Sequence, residues 1–333
     1  MKRFRSLSSA TILAVSSLSL AAFLSLPARA QQEPAPLSTV QDTCEFSPAA
    51  KGYQPSVTHC NGSAIAALAE SGRAYAQNQM GIESALVLGK GRTVASARKW
   101  FERAAQQGYA PAQVNLAVLY LNGWGIPRNY GPALYWLKAA ADQHNARAFT
   151  NLGILYMNGW GVRQDYTEAL RYSRLAAEAG ETGAMINLGY MNDQGLGTPL
   201  DLSAAVEWYR QAAERGDPLG QNNLADMYLR GEGVPQSDDL AFVWFKKAAT
   251  SGNTGAYIKL GFMYSTGRGV PKDPETAYTW MWAATLAGDR RGQEYLAALE
   301  SQLSLEQLAR AKKRAAELQS VPQPASIEMA FVR

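Results

Sequence analysis

The sequence predicts an all-α fold, a right-handed α-solenoid of about six helix-pair repeats closed by a C-terminal capping helix. Three observations carry it. The chain repeats itself at a shift of 36 residues, with glycines at 123, 159, 195, 231 and 267 and again at 125, 161, 197, 233 and 269. Leucines (116, 152, 188, 224, 260) and alanines (133, 169, 205, 241, 277) recur with the same period, and no column slips by a residue. Apolar positions between the glycine pairs follow helical spacing, so each unit reads as two helices that bury their faces by stacking on neighbouring units.

Taken from the N-terminus, the chain opens with Lys2, Arg3 and Arg5, an apolar run from Thr11 to Leu26, and Ala28-Arg29-Ala30. This is the form of a secretory signal peptide (1–30) cleaved after Ala30, and it predicts a periplasmic or secreted protein. No second apolar run is long enough for an integral membrane span. The leader holds four basic residues and no acidic ones, and the remainder carries 28 of each sign. That balance leaves no basic footprint for nucleic acid. Segment 31–62 is expected to be flexible and to contain a disulfide. Its Cys44 and Cys60 are the only cysteines, and an oxidising compartment favours a bridge worth about 3 kcal/mol over a metal site with His59.

The solenoid is expected over 63–298, with regular units at about 110–145, 146–181, 182–217, 218–253 and 254–289. In each unit the first helix carries a leucine, a small residue and usually a tyrosine on one face, as in Leu152, Gly153 and Tyr156. The paired glycines then end it, because glycine takes the left-handed conformation of a helix C-cap. Asn129, Asp165, Asp201, Ser237 and Asp273 are N-cap residue types that start the second helix. Upstream, Thr93, Ala97, Trp100 and Ala104 hold the same register, so an irregular unit precedes the five regular ones. Downstream, Ser304 and Gln307 form a capping box and Leu303 and Leu308 a staple, predicting a terminal cap at 299–319. A polar last helix keeps a solenoid from stacking end to end. Residues 320–333 are unpatterned and read as a flexible tail.

AFTNLGILYMNGWGVRQD (148–165) and AVEWYRQAAERG (205–216) resemble the Sel1-like repeat, a relative of the tetratricopeptide repeat. The resemblance covers about 95–290. Asn192 stands where the pattern has tyrosine, Ala117 and Ala225 where it has glycine, and Lys259 where it has asparagine. The resemblance implies a protein-binding solenoid. Exported relatives include regulators of envelope signalling and proteins that touch cell-wall enzymes.

Gly-Trp-Gly (123–125, 159–161) is a turn rather than a phosphate cradle, since a cradle occurs once, precedes a helix and brings a lysine. The chain has two histidines, His59 and His144, in different modules, and no convergent catalytic set. Some cysteine-rich members of the resembled family are associated with penicillin hydrolysis, which directs attention to Ser96-Ala-Arg-Lys99. No Ser-Asp-Asn or Lys-Thr-Gly accompanies it, and the family's repeated disulfides are missing here.

Two columns are candidates for partner binding. Asn115, Asn151, Asn187 and Asn223, with Lys259, recur at one azimuth of the first helix. There they either line a groove as a ladder for an extended peptide or tie neighbouring repeats together. Trp124 and Trp160 stand between the glycines of consecutive loops, where they either anchor a partner or pack on a neighbouring unit. The expected function is therefore a non-catalytic, monomeric scaffold, adaptor or regulator. It would hold a protein or peptide of the envelope in its concave groove, without cofactor or metal. A hydrolase acting on β-lactam or cell-wall substrates is the alternative.

Overall fold

The computed structural model describes residues 45–47, 56–59, 62–86 and 94–320. The leader, Cys44, Cys60 and the segment beyond Ser320 lie outside the described residues. Two short strands, β1 (Glu45–Ser47) and β2 (Ser56–His59), pair antiparallel with Glu45 opposite His59. This hairpin lies in a segment the sequence read as flexible. Fifteen helices follow: α1 (Gly62–Glu70), α2 (Ala74–Leu86), α3 (Val94–Gln106), α4 (Ala110–Asn122), α5 (Tyr130–Ala141), α6 (Ala146–Asn158), α7 (Tyr166–Glu178), α8 (Thr182–Gln194), α9 (Leu202–Glu214), α10 (Pro218–Arg230), α11 (Asp238–Thr250), α12 (Gly255–Thr266), α13 (Pro274–Leu286), α14 (Arg290–Glu300) and α15 (Leu305–Ser320). The architecture is an all-α solenoid in which α2–α3 through α12–α13 form six helix pairs. The chain divides into two compact units, the first ending at Glu181 and the second beginning at Thr182.

Each pair is built the same way because the same residues recur. Leu116, Leu152, Leu188, Leu224 and Leu260, with Ala133, Ala169, Ala205, Ala241 and Ala277, are all buried between the two helices. The small residue beside each leucine sets the approach. A Cβ on Gly81, Gly189 or Gly261 would collide with Phe101, Tyr209 or Met281 respectively, in each case 20 residues later on the paired helix. Close packing of this kind is what makes the large residue opposite effective, since each fully buried aromatic or methionine contributes roughly 1.5–3 kcal/mol.

The loop between paired helices is fixed by backbone bonds. Gly231 has φ 68° and its N–H donates to Met227 O, closing α10 as a left-handed C-cap. The chain then crosses back, and the N–H of Ser237 donates to Tyr228 O. Equivalent bonds run from Asn129, Asp165, Asp201 and Asp273 to the carbonyls of Tyr120, Tyr156, Asn192 and Tyr264. Because the acceptor is a carbonyl, Asn192 serves as well as tyrosine. The N-cap side chains then receive the first amides of the second helix, as Asp165 does from Thr167 and Glu168.

Candidate interaction surface

The curvature within each unit follows from which helices touch. Consecutive first helices meet directly, α2 with α4 in the first unit and α8 with α10 in the second, as do α12 and α14. No pair of second helices among the repeats is as close, so the first helices line the inner side. Lys259 Nζ lies 2.6 Å from Asp226 Oδ1, crossing from α12 to α10 on that side.

The asparagine column is largely inside. Asn115 is 0% exposed, Asn151 2% and Asn187 4%. Asn115 Nδ2 donates to Asn78 Oδ1 at 2.8 Å, which joins α4 to α2. Asn151 Nδ2 donates to Arg147 O within α6. Asn187 Nδ2 has no hydrogen-bond partner among the described residues. Asn223 is half-buried, and Lys259 keeps 37% of its side chain exposed. The open polar positions of the inner face are therefore Asn223, Asp226 and Lys259, with Phe262 exposed one turn beyond Lys259. The column that the sequence read either as a groove ladder or as a tie between repeats is thus split: an interior tie at Asn115, buried amides at Asn151 and Asn187, and an open end at Asn223 and Lys259.

The loop tryptophans are half-buried and pack on neighbouring helices. Trp160 stacks on Tyr130, the first residue of the preceding second helix, with ring centroids 5.9 Å apart. Trp124 and Val94 pack on one core cluster. Arg268 holds the corresponding place and clasps Asp238, the first residue of α11, through Nη2–Oδ1 at 2.6 Å and Nε–Oδ2 at 3.0 Å. In these repeats the residue between the loop glycines is a latch onto the helix start 30 residues earlier, an aromatic stack for Trp160 and an ion pair for Arg268, whereas Glu232 pairs instead with Arg230. The second glycine lies beneath it. A Cβ on Gly233 or Gly269 would collide with Leu202 O or Asp238 O.

A glutamine ladder went unread in the sequence. Gln77, Gln113 and Gln221 each donate from Nε2 to a carbonyl eight residues earlier, on the preceding second helix for Gln113 and Gln221. Gln107 and Gln143 donate in turn to the Oε1 of Gln77 and Gln113. The signal was present, since both pairs stand 36 apart.

Among the described residues, buried charge occurs at the seams between repeats. Arg147 and Glu181 form a pair at 3.7 Å with side chains 13% and 12% exposed, and burial pushes the Glu181 carboxyl up. Burial likewise raises Asp217, the α10 N-cap, against the opposing hydrogen bonds from Thr182 and the amides of Leu219 and Gly220. Ser96 is half-buried on α3 and Lys99 is exposed, whereas a lysine that activates a serine is normally desolvated. His144 takes the closing glycine's place with φ 57°. Among the described residues no cluster of His, Cys, Asp or Glu could hold a metal ion, and no helix is long and apolar enough to cross a membrane.

The six stacked helix pairs define a tandem helix-pair repeat protein. The Sel1 repeat family model matches residues 74–109, 110–145, 146–181, 182–217, 218–253 and 254–289, and the chain belongs to this family. Its members are generally protein-interaction scaffolds. The crystal structure of a Sel1 repeat protein from Oxalobacter formigenes is 33% identical, with TM-score 0.60 over 67% of this chain and 95% of that one. A protective antigen present in uropathogenic Escherichia coli strains, displaying an SLR fold, is 30% identical with TM-score 0.58 over 80% of this chain. The match spans 61% of that antigen's chain. Among curated proteins no match was found.

Proposed function

We propose that this protein is an exported, monomeric, non-catalytic scaffold that holds a protein or peptide of the cell envelope on the inner face of its repeats. The observation that carries the reading is the open polar end of the asparagine column. Asn223 and Asp226 on α10, and Lys259 and Phe262 on α12, are each three residues apart and so lie on one face of their helix, with Lys259 reaching Asp226. Polar groups of both signs beside an exposed ring suit a polypeptide, which offers backbone donors, acceptors and side chains together. The leader at 1–30 supports export to the periplasm or beyond.

A photoreactive amino acid placed at Asn223 or Lys259 tests this in living cells. Adducts to a defined envelope protein are expected at those positions and not at Lys246, which is exposed on α11. Equal labelling at all three positions would refute the inner-face reading. Turnover of nitrocefin by the purified chain would refute its non-catalytic part.

A further inference from the structure

The last helix sits out of the repeat pattern. A second helix normally packs on its own first helix, but α15 lies along α13 rather than on α14. It covers α13 with little apolar surface. Ala311 and Ala315 are its only buried residues over 305–317, while Leu305 is exposed. Leu308 is partly buried and, with Leu303 ahead of the helix, packs on the cluster of Tyr278, Met281, Leu296 and Leu299. Beyond these apolar contacts the hold is electrostatic. Glu275 on α13 accepts from Arg310 Nε at 3.1 Å and Nη2 at 2.9 Å, and Arg314 Nη1 lies 3.3 Å away. Lys312 Nζ stands over the Trp282 ring at 5.0 Å and the Tyr278 ring at 5.9 Å.

The face beneath differs from its counterparts. Trp282 occupies the place held by Lys138, Arg174, Arg210 and Lys246 in the four preceding repeats. Tyr278 and Trp282 stack with centroids 6.0 Å apart, so α13 presents an aromatic platform where the four second helices before it present a cation. Independently of α15, Tyr278 OH donates to Glu300 Oε1 at 2.7 Å, which fastens α14 to α13.

We propose that α15 is a releasable strap, and that the Glu275–Tyr278–Trp282 face is a docking surface for a basic, alanine-striped helix of a partner protein. The strap itself shows what fits. Small residues four apart allow close approach, an arginine just before each reaches Glu275, and a lysine covers the rings. A helix held by two buried alanines, one partly buried leucine and ion pairs from half-exposed arginines releases more readily than one seated in a full core, and its ionic part weakens with salt. The tether gives α15 a high effective concentration, so a competing helix gains access when the strap's arginine contacts are lost. This inference does not depend on the inner-face reading.

Hydrogen exchange on the full chain is the first test. Amides of α15 are expected to exchange at least about tenfold faster than those of α13, with the gap widening in high salt. Exchange in α15 as slow as in α13 would overturn the strap. The second test uses a labelled synthetic peptide spanning residues 303–320. It is expected to bind the Arg310→Ala/Arg314→Ala chain about tenfold or more tightly than wild type, and Glu275→Gln in that background should remove the gain. Equal binding to wild type and variant, or none to either, would overturn the docking surface.

Discussion

Gly233 and Gly216 both adopt positive φ, yet the surroundings ask different things of them. Gly216 has φ 86° with nothing near its missing Cβ, while Gly233 has φ 72° and the Leu202 carbonyl against it. Gly216→Ala is expected to cost about 1 kcal/mol for the left-handed backbone alone. Gly233→Ala should cost roughly 3 kcal/mol or more, because loop and helix must also part. Comparing the two unfolding midpoints checks this, and equal losses would show that the loop gives way freely. Asp217 carries a pH-dependent term. Its folded carboxyl is raised by burial, so the folded state holds the proton more tightly than the unfolded chain. Stability from this group is fully present below the unfolded pKa and is lost as pH rises through the raised folded value. Asp217→Asn keeps a cap acceptor, as Asn145 does at the same place in its repeat. The variant should match wild type in acid and exceed it at neutral pH, which melting curves across pH 3–8 would reveal as about equal midpoints or a growing gap.

Helices, turns and caps were legible in the sequence because each is written as one residue type at one spacing. The leucine seam, the C-cap glycines and the N-cap column all encode local backbone demands, and these do not depend on distant partners. The asparagine column was legible as a column but not as a surface. An amide looks the same in sequence whether it ties to Asn78, as Asn115 does, or stays half-open like Asn223. The loop tryptophans were ambiguous for a related reason. The partner of the loop residue sits 30 residues earlier and changes chemistry from Tyr130 under Trp160 to Asp238 beside Arg268, so no single motif marks the latch. The α2 helix was hard to place because only scattered residues such as Gln77 and Gly81 keep the register. At the N-terminal hairpin, Glu45 and His59 are register partners and are the sequence neighbours of Cys44 and Cys60. We expect these cysteines to be joined in exported material. Non-reducing mass spectrometry should find the two peptides linked, and two free thiols would contradict it.

Across the whole molecule, stability is expected to add up repeat by repeat rather than through one shared core. Gly195, with φ 66° and the Leu200 amide nitrogen close to its absent Cβ, is a place to test this. Gly195→Val should strip hydrogen-exchange protection from α8 and α9 while α12 and α13 keep most of theirs. Uniform loss from α8 to α15 would mean that the repeats are coupled far more tightly than nearest neighbours. The latch between a loop and the helix start 30 residues before it also decides how such a protein can be cut and rejoined. A cassette bounded as the family model bounds it, 218–253, parts Asp238 from Arg268 and strands one half on each side of the splice. A cassette from Asp238 to Asp273 carries both halves, together with one second helix and the first helix after it. Grafts and deletions made on that frame, half a repeat out of phase with the sequence unit, transplant their own fastening.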